Sequence, residues 1–146
     1  MSFEFTREEL DGMNDAQKDA LIDVLIAGLC ADGSLKQHEL DRLDEELRDM
    51  SWGRSDAVTE QAIKASYAKI RSFTAPEQAV AMVKNVAATI TDRSLREKAF
   101  AMLARILYDG VEMTPNEQTV LTAFVVAFEI PLPRIKEIGE AVKSGH

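Results

Sequence analysis

Residues 20–33 read ALIDVLIAGLCADG, and this stretch decides the fold. From Leu21 to Cys30, apolar residues cover most of the circumference of a helix, which is typical of a helix at the centre of a bundle. An Asp-Gly turn then begins at Asp32, and Glu39 follows seven positions later, near the start of the next helix. The stretch therefore predicts a buried helix, an acidic turn and a second helix.

A second copy of this pattern occupies residues 98–110, which read KAFAMLARILYDG. Its Asp-Gly turn begins at Asp109, and Glu117 follows eight positions later. Since a helix-turn-helix unit cannot bury its apolar face alone, we expect the copies, roughly 14–50 and 92–129, to pack on each other. The repeat thus predicts an internal pseudo-twofold arrangement that brings the two turns onto related positions.

The rest of the sequence also has the apolar spacing or the composition of helices. No segment alternates apolar and polar residues as a half-buried strand does. We therefore predict an all-α fold, a compact bundle of about seven to eight helices that forms one domain over residues 1–146. Capping boxes predict two helix starts, one at Thr6 with Glu9 and one at Asn14 with Gln17.

Capping residues and prolines mark the other helix starts. They are predicted at Ser34, at Ser55 or Asp56, at Thr74 with Pro76, at Asp92 or Ser94, at Thr114 with Pro115, and at Arg134 after Pro131 and Pro133. In the helix after Pro76, the residues predicted to face the core are Val80, Val83, Val86, Ala87 and Ile90. Trp52 is predicted to fold over the end of the acidic helix, and its alternative is an exposed anchor at an interface.

The net charge of −8 is concentrated in the first part of the chain. Residues 1–56 carry fifteen acidic and six basic side chains, whereas residues 57–146 carry ten and eleven. Such a surface repels phosphate backbones and anionic headgroups, which argues against nucleic-acid and membrane partners and favours cations or a basic protein face. Without a secretion signal, a long apolar run or a second cysteine beside Cys30, the chain is expected to be cytoplasmic.

The two acidic turns predict one or two sites for a hard cation. The predicted ligands are Asp32, Glu39, Asp109 and Glu117, with Glu112 as a further oxygen donor. Carboxylates drawn together raise each other's pKa unless a cation lies between them. The candidate ions are calcium, magnesium, manganese and zinc, and His38 beside Glu39 is what widens the choice to zinc.

A purely structural interpretation of the same residues stays open. Asp before Gly is common turn chemistry, and a Glu in the first turn of a helix favourably meets the helix dipole. An EF-hand calcium loop is excluded, because Ser34 and Lys36 hold its third and fifth positions and no Gly holds the sixth. Neither a nucleophile motif nor a histidine pair is present, so no enzyme activity is predicted.

A metal-free alternative uses the helix over residues 36–50. Leucines and Met50 occupy one of its faces, and the other carries Asp41, Asp44, Glu45 and Asp49. This acidic face predicts either a solvated surface or a docking site for a basic protein partner.

The Asp-Gly turns, each with an aliphatic residue and then a Glu, resemble the TerB-like family of tellurite-resistance proteins. A related domain of membrane-anchored DnaJ-like co-chaperones carries the same signature. The resemblance covers roughly residues 14–130 and implies a duplicated all-helical fold, a metal-binding acidic centre and a non-enzymatic role in stress or chemical resistance. The family's acidic positions fall on Asp32, Glu39, Asp109 and Glu117.

The second copy departs from the family pattern in two ways. Tyr108 stands where a small residue is usual, and one extra residue separates Asp109 from Glu117. An insertion of one residue rotates Glu117 by about 100° around its helix, unless the turn ahead of Pro115 absorbs it.

Overall fold

A computed structural model describes residues 3–30, 36–50, 52–108 and 115–144 of the chain. In these ranges the fold is a bundle of eight helices without a strand, which confirms the predicted all-α class. The helices are α1 (Arg7–Gly12), α2 (Asp15–Leu29), α3 (Gln37–Met50), α4 (Asp56–Arg71), α5 (Pro76–Thr89), α6 (Arg93–Tyr108), α7 (Pro115–Phe128) and α8 (Leu132–Ser144). No helix within these ranges is long and apolar enough to span a bilayer.

Both predicted capping boxes are present at the starts of α1 and α2. The Thr6 hydroxyl accepts from the Glu9 N–H at 3.1 Å, and the Glu9 carboxylate accepts from the Thr6 N–H at 2.9 Å. Asn14 and Gln17 make the same reciprocal pair at 2.8 and 3.0 Å. These bonds satisfy N–H groups that have no partner inside the helix, so local sequence fixes where both helices begin.

Helices α2 and α6 form the centre of the bundle. Helix α2 packs against α4, α5, α6 and α7, and α6 also packs against α3, α7 and α8. Gly28 allows the two central helices to approach closely, because a Cβ at this position would lie 2.7 Å from Leu103 Cδ1. The helices of the two predicted repeats therefore contact each other, while a pseudo-twofold relation between them stays a prediction.

Two details of the predicted helices are wrong. Val80 was expected in the core but is 44% exposed, because the buried face of α5 is formed by Met82, Val83, Val86 and Ala87. Helix α8 begins at Leu132 rather than Arg134. Pro133 fits within its first turn, where a helix does not need the missing N–H.

Buried charges at α6 are matched by partners from distant parts of the chain. Glu97 is 5% exposed and is held by the Arg134 guanidinium of α8 through two bonds of 2.9 and 3.0 Å. Arg96 donates to the carbonyls of Ala87 at 2.5 Å and Ile90 at 2.6 Å at the end of α5, and to that of Phe128 at 3.3 Å at the end of α7. One arginine thus satisfies carbonyls at the ends of two helices.

Candidate functional site

The structure describes the side chain of one of the four predicted metal ligands. Asp32 lies in residues 31–35 and Asp109 in residues 109–114, both outside the described ranges. Glu117 belongs to α7, but its side chain is also outside what is described. Only Glu39 can therefore be placed, and the predicted gathering of four carboxylates stays a prediction.

Glu39 is buried near the start of α3, in contrast to the other acidic residues of that helix. Its exposed fraction is 3%, whereas Asp41, Glu45 and Asp49 are exposed. Taking a carboxylate out of water is costly unless cations or hydrogen-bond donors replace the water. The burial of Glu39 therefore places a charged group inside the protein, in the first turn of α3.

The charge of Glu39 affects the pKa of Cys30, which follows the end of α2. The pKa of the Cys30 thiol is raised to about 11, mainly by burial and further by the negative charge of Glu39. The Glu39 carboxylate of α3 is therefore close enough to Cys30, just after α2, for its charge to act on the thiol. Cys30 itself is half-buried, and at this pKa it stays a neutral thiol at physiological pH.

Within the described ranges, no three His, Cys, Asp or Glu side chains are grouped as a metal site would require. His38 is exposed, as expected for a solvated helix residue. The region in which a cation site is predicted therefore consists of Glu39, which is described, and the acidic turns, which lie outside the described residues.

The acidic face of α3 is accessible to solvent. Asp41, Glu45 and Asp49 are exposed, and Asp44 pairs with Arg48 one turn later at 3.1 Å. The opposite face is buried through Leu43 and Leu47, which are 0% and 3% exposed. The predicted division of this helix into an apolar and an acidic face is confirmed.

Salt bridges and a cavity flank this acidic helix, and sequence reasoning did not find them. Arg105 of α6 donates to the Glu46 carboxylate of α3 at 3.3 and 3.4 Å, which ties the acidic helix to the centre of the bundle. Just beyond the C-terminal end of α3, Trp52 is 3% exposed and lines a cavity of about 320 Å³. The predicted burial of Trp52 is confirmed, and the alternative of an exposed anchor is wrong.

Comparison with protein-family models, with curated proteins and with solved structures gave no match. The class of protein that fold and site define is thus an all-α bundle with an acidic helix. The likeness to the TerB-like family stays a prediction from the two acidic turns.

Proposed function

We propose that the chain is a non-enzymatic, cytoplasmic binding module of the TerB-like kind, which holds a divalent cation at its Asp-Gly turns and acts in stress or tellurite-type resistance. The observation that carries the proposal is the burial of Glu39, which is 3% exposed directly after the first turn. In this proposal Glu39 and Asp32 are ligands from the first turn, and Asp109 and Glu117 are ligands from the second.

The packing of the helices on either side of the turns supports this proposal. Helix α2, which precedes the first turn, contacts α6 and α7, which precede and follow the second turn. Helix α3, which follows the first turn, contacts α6. Hard cations such as calcium, magnesium and manganese prefer carboxylate oxygens, which Glu39 and the acidic turns would supply.

Native mass spectrometry tests the cation site directly. The purified protein is titrated with calcium, magnesium, manganese and zinc, beside Asp32→Asn/Asp109→Asn and Glu39→Gln. We expect stoichiometric uptake of at least one ion by the wild type and its loss in both variants. The matched control is Asp41→Asn/Asp49→Asn, which removes two exposed carboxylates of α3 and should leave uptake unchanged. No uptake by the wild type, or equal uptake by all variants, would contradict the proposal.

A second candidate function is a metal-free protein-interaction domain that uses the acidic helix α3. It is favoured by the exposure of Asp41, Glu45 and Asp49 on one face of a helix whose other face is buried. Exposed carboxylates in a row raise the association rate of a basic partner and make binding sensitive to salt.

Charge reversal in the presence of a chelator tests this second function. Asp44→Lys/Glu45→Lys should abolish recovery of a basic partner in a pull-down, and higher salt should weaken recovery by the wild type. Glu77→Lys/Glu140→Lys makes the same charge change at exposed positions of α5 and α8 and should have little effect. If both double variants lose recovery of the partner equally, the effect depends on net charge alone, and a specific role of α3 is refuted.

A further inference from the structure

The cavity beside Trp52 lies between the C-terminal half of α3 and the first turns of α4. Its volume of about 320 Å³ is at the small end for ligand cavities, so it fits one side chain rather than a folded segment. The positive backbone angle of Gly53, with φ of 84°, carries the chain around it. Trp52 and Thr59 line its interior, and Asp44 and Asp56 lie among the residues around it.

The cavity contains a hydroxyl that makes no hydrogen bond with another described residue. It belongs to Thr59, which is 8% exposed overall, and the hydroxyl oxygen is not among the buried atoms without a partner. Thr59 lies one turn beyond Ser55, the residue that caps the start of α4 by accepting from the Val58 N–H at 3.2 Å. The hydroxyl can therefore bond to a group that enters the cavity.

The charges around the cavity favour a cationic occupant. Arg54 is 9% exposed and is bound to Asp19 at 2.8 Å and Asp15 at 3.5 Å, and Arg48 is paired with Asp44. Both arginines near the cavity are thus neutralised. Asp56 is exposed and makes no ion pair with another described residue. Asp56 is therefore a negative charge at the cavity that no described cation matches, which disfavours an anion.

We propose that this cavity receives an arginine side chain of a basic protein partner. The guanidinium would bind the Asp56 carboxylate and the Thr59 hydroxyl. It would lie close to Trp52, whose ring already has the Arg54 guanidinium carbon 5.6 Å from its centroid. Arginine suits this site better than lysine, since a planar guanidinium donates several bonds at once.

This inference rests on the second proposed function, because it names the anchor by which a basic partner of α3 is held. It adds a definite position at the C-terminal end of the acidic helix, whereas the proposed cation site lies at the N-terminal end. The two ends can therefore be tested separately.

The first experiment is a nuclear magnetic resonance titration of the ¹⁵N-labelled protein with N-acetyl-arginine amide. Trp52 is the only tryptophan of the chain, so its indole N–H signal reports occupancy of the cavity. We expect saturable shifts at Trp52 and Gly53, and none with N-acetyl-citrulline amide, which has nearly the same shape but no charge. Equal shifts with both compounds, or no saturable shift with arginine, would overturn the proposal.

Two variants locate the binding. Asp56→Asn removes an exposed carboxylate and should weaken binding about two- to fivefold, as for an exposed ion pair. Thr59→Met fills the cavity and should abolish the Trp52 shift, and circular dichroism shows whether it folds. The control Asp41→Asn removes one charge from α3 outside the cavity and should leave the shift unchanged. If Asp56→Asn binds as tightly as the wild type, the anchor is refuted.

Charge reversal on α3 outside the cavity separates this inference from the function on which it rests. If Asp41→Lys/Glu45→Lys abolishes recovery of the basic partner but Asp56→Asn does not weaken it, α3 is the interface and the anchor is refuted. If the Trp52 signal responds to arginine as expected but charge reversal on α3 leaves partner recovery unchanged, the anchor stands and the interaction face on α3 fails.

Discussion

Helices α2 and α3 follow each other in the chain but take opposite places in the fold. In α2 the residues Leu21, Ile22, Leu25 and Ile26 are fully buried, and the helix is surrounded by four others. In α3 only Leu43, Leu47 and Glu39 are buried, and one face remains exposed and acidic. Packing fixes the central helix, whereas two leucines and the salt bridge from Arg105 to Glu46 hold the acidic helix. An edge helix of this kind is able to present charge without weakening the core.

The contact between Gly28 and Leu103 gives the strongest test of the central packing. Leu103→Ala should lower the free energy of unfolding by about 2–5 kcal/mol, because it leaves a cavity at a fully buried site. Gly28→Ala should cost about 1–3 kcal/mol through overpacking against Leu103. In the Leu103→Ala background the added methyl has room, so the second substitution should cost less. Additive effects in denaturant titrations would show that the two helices do not meet there.

A substitution at Arg96 tests whether polar contacts also stabilise the centre of the bundle. Arg96→Met should lower the free energy of unfolding by about 2–3 kcal/mol, since it leaves the Ala87 and Ile90 carbonyls without their donor. Thermal unfolding followed by circular dichroism measures the loss. Arg93→Met, at an exposed position one turn earlier in α6, is the control, and an equal effect there would argue against the capping role.

The Glu9 carboxylate is expected to make the stability of the fold sensitive to acid. Burial alone would raise its pKa, but hydrogen bonds from Lys98, the Thr6 N–H and Ser94 outweigh burial and lower the pKa from 4.5 to about 2. A lowered pKa in the folded state stabilises the protein above pH 4.5, and this contribution is lost as the pH falls towards 2. Its size should be about 1–3 kcal/mol, the range for hydrogen bonds to a charged group.

Chemical unfolding between pH 6 and pH 2, compared for the wild type and Glu9→Gln, measures this contribution. The variant should be less stable at neutral pH and should lose less stability in acid. Parallel pH profiles for the two proteins would contradict the predicted role of Glu9.

Ser66 in α4 is a position where we expect a substitution to preserve or raise stability rather than lower it. It is 2% exposed, and its hydroxyl has no hydrogen-bond partner among the residues that the structure describes. Ser66→Ala removes this unsatisfied group without changing the shape much, so stability should stay the same or rise by up to about 1 kcal/mol. A loss of more than about 1 kcal/mol in urea titrations would mean that the hydroxyl is bonded in solution.

The acidic face of α3 should give the smallest effect on stability. Asp41→Asn and Asp49→Asn change exposed carboxylates and should alter the free energy of unfolding by less than about 0.5 kcal/mol. Differential scanning calorimetry at low and high salt checks this. A large loss would mean that the acidic face is part of the fold rather than a surface open to a partner.

Sequence alone could predict the features that depend on neighbouring residues. The capping boxes of α1 and α2 satisfy N–H groups three positions away, and the apolar circumference of α2 is visible within its own residues. For the start of α6, the sequence predicts Asp92 or Ser94 as the capping residue. Asp92 is the one that accepts from the Leu95 N–H, at 3.0 Å. Local hydrogen-bond chemistry is strong enough to determine these points.

Features that depend on distant residues could not be predicted. Arg54 binds Asp19 and Arg105 binds Glu46, and nothing in the local spacing pairs them. The cavity beside Trp52 is lined by residues of α3, of α4 and of the segment between them, which only the folded chain brings together. For the predicted cation site, sequence supplied the four carboxylates, and the structure adds the burial of Glu39.

The close contact of Gly28 with Leu103 has a consequence for synthesis of the chain. Helix α2 leaves the ribosome well before α6, its partner at the centre of the bundle, has been made. At about 5–20 residues per second, the part of the apolar surface of α2 that α6 covers stays exposed for several seconds. During this time the nascent chain is a substrate for chaperones that bind exposed apolar segments, and a chain truncated before α6 would keep that surface permanently.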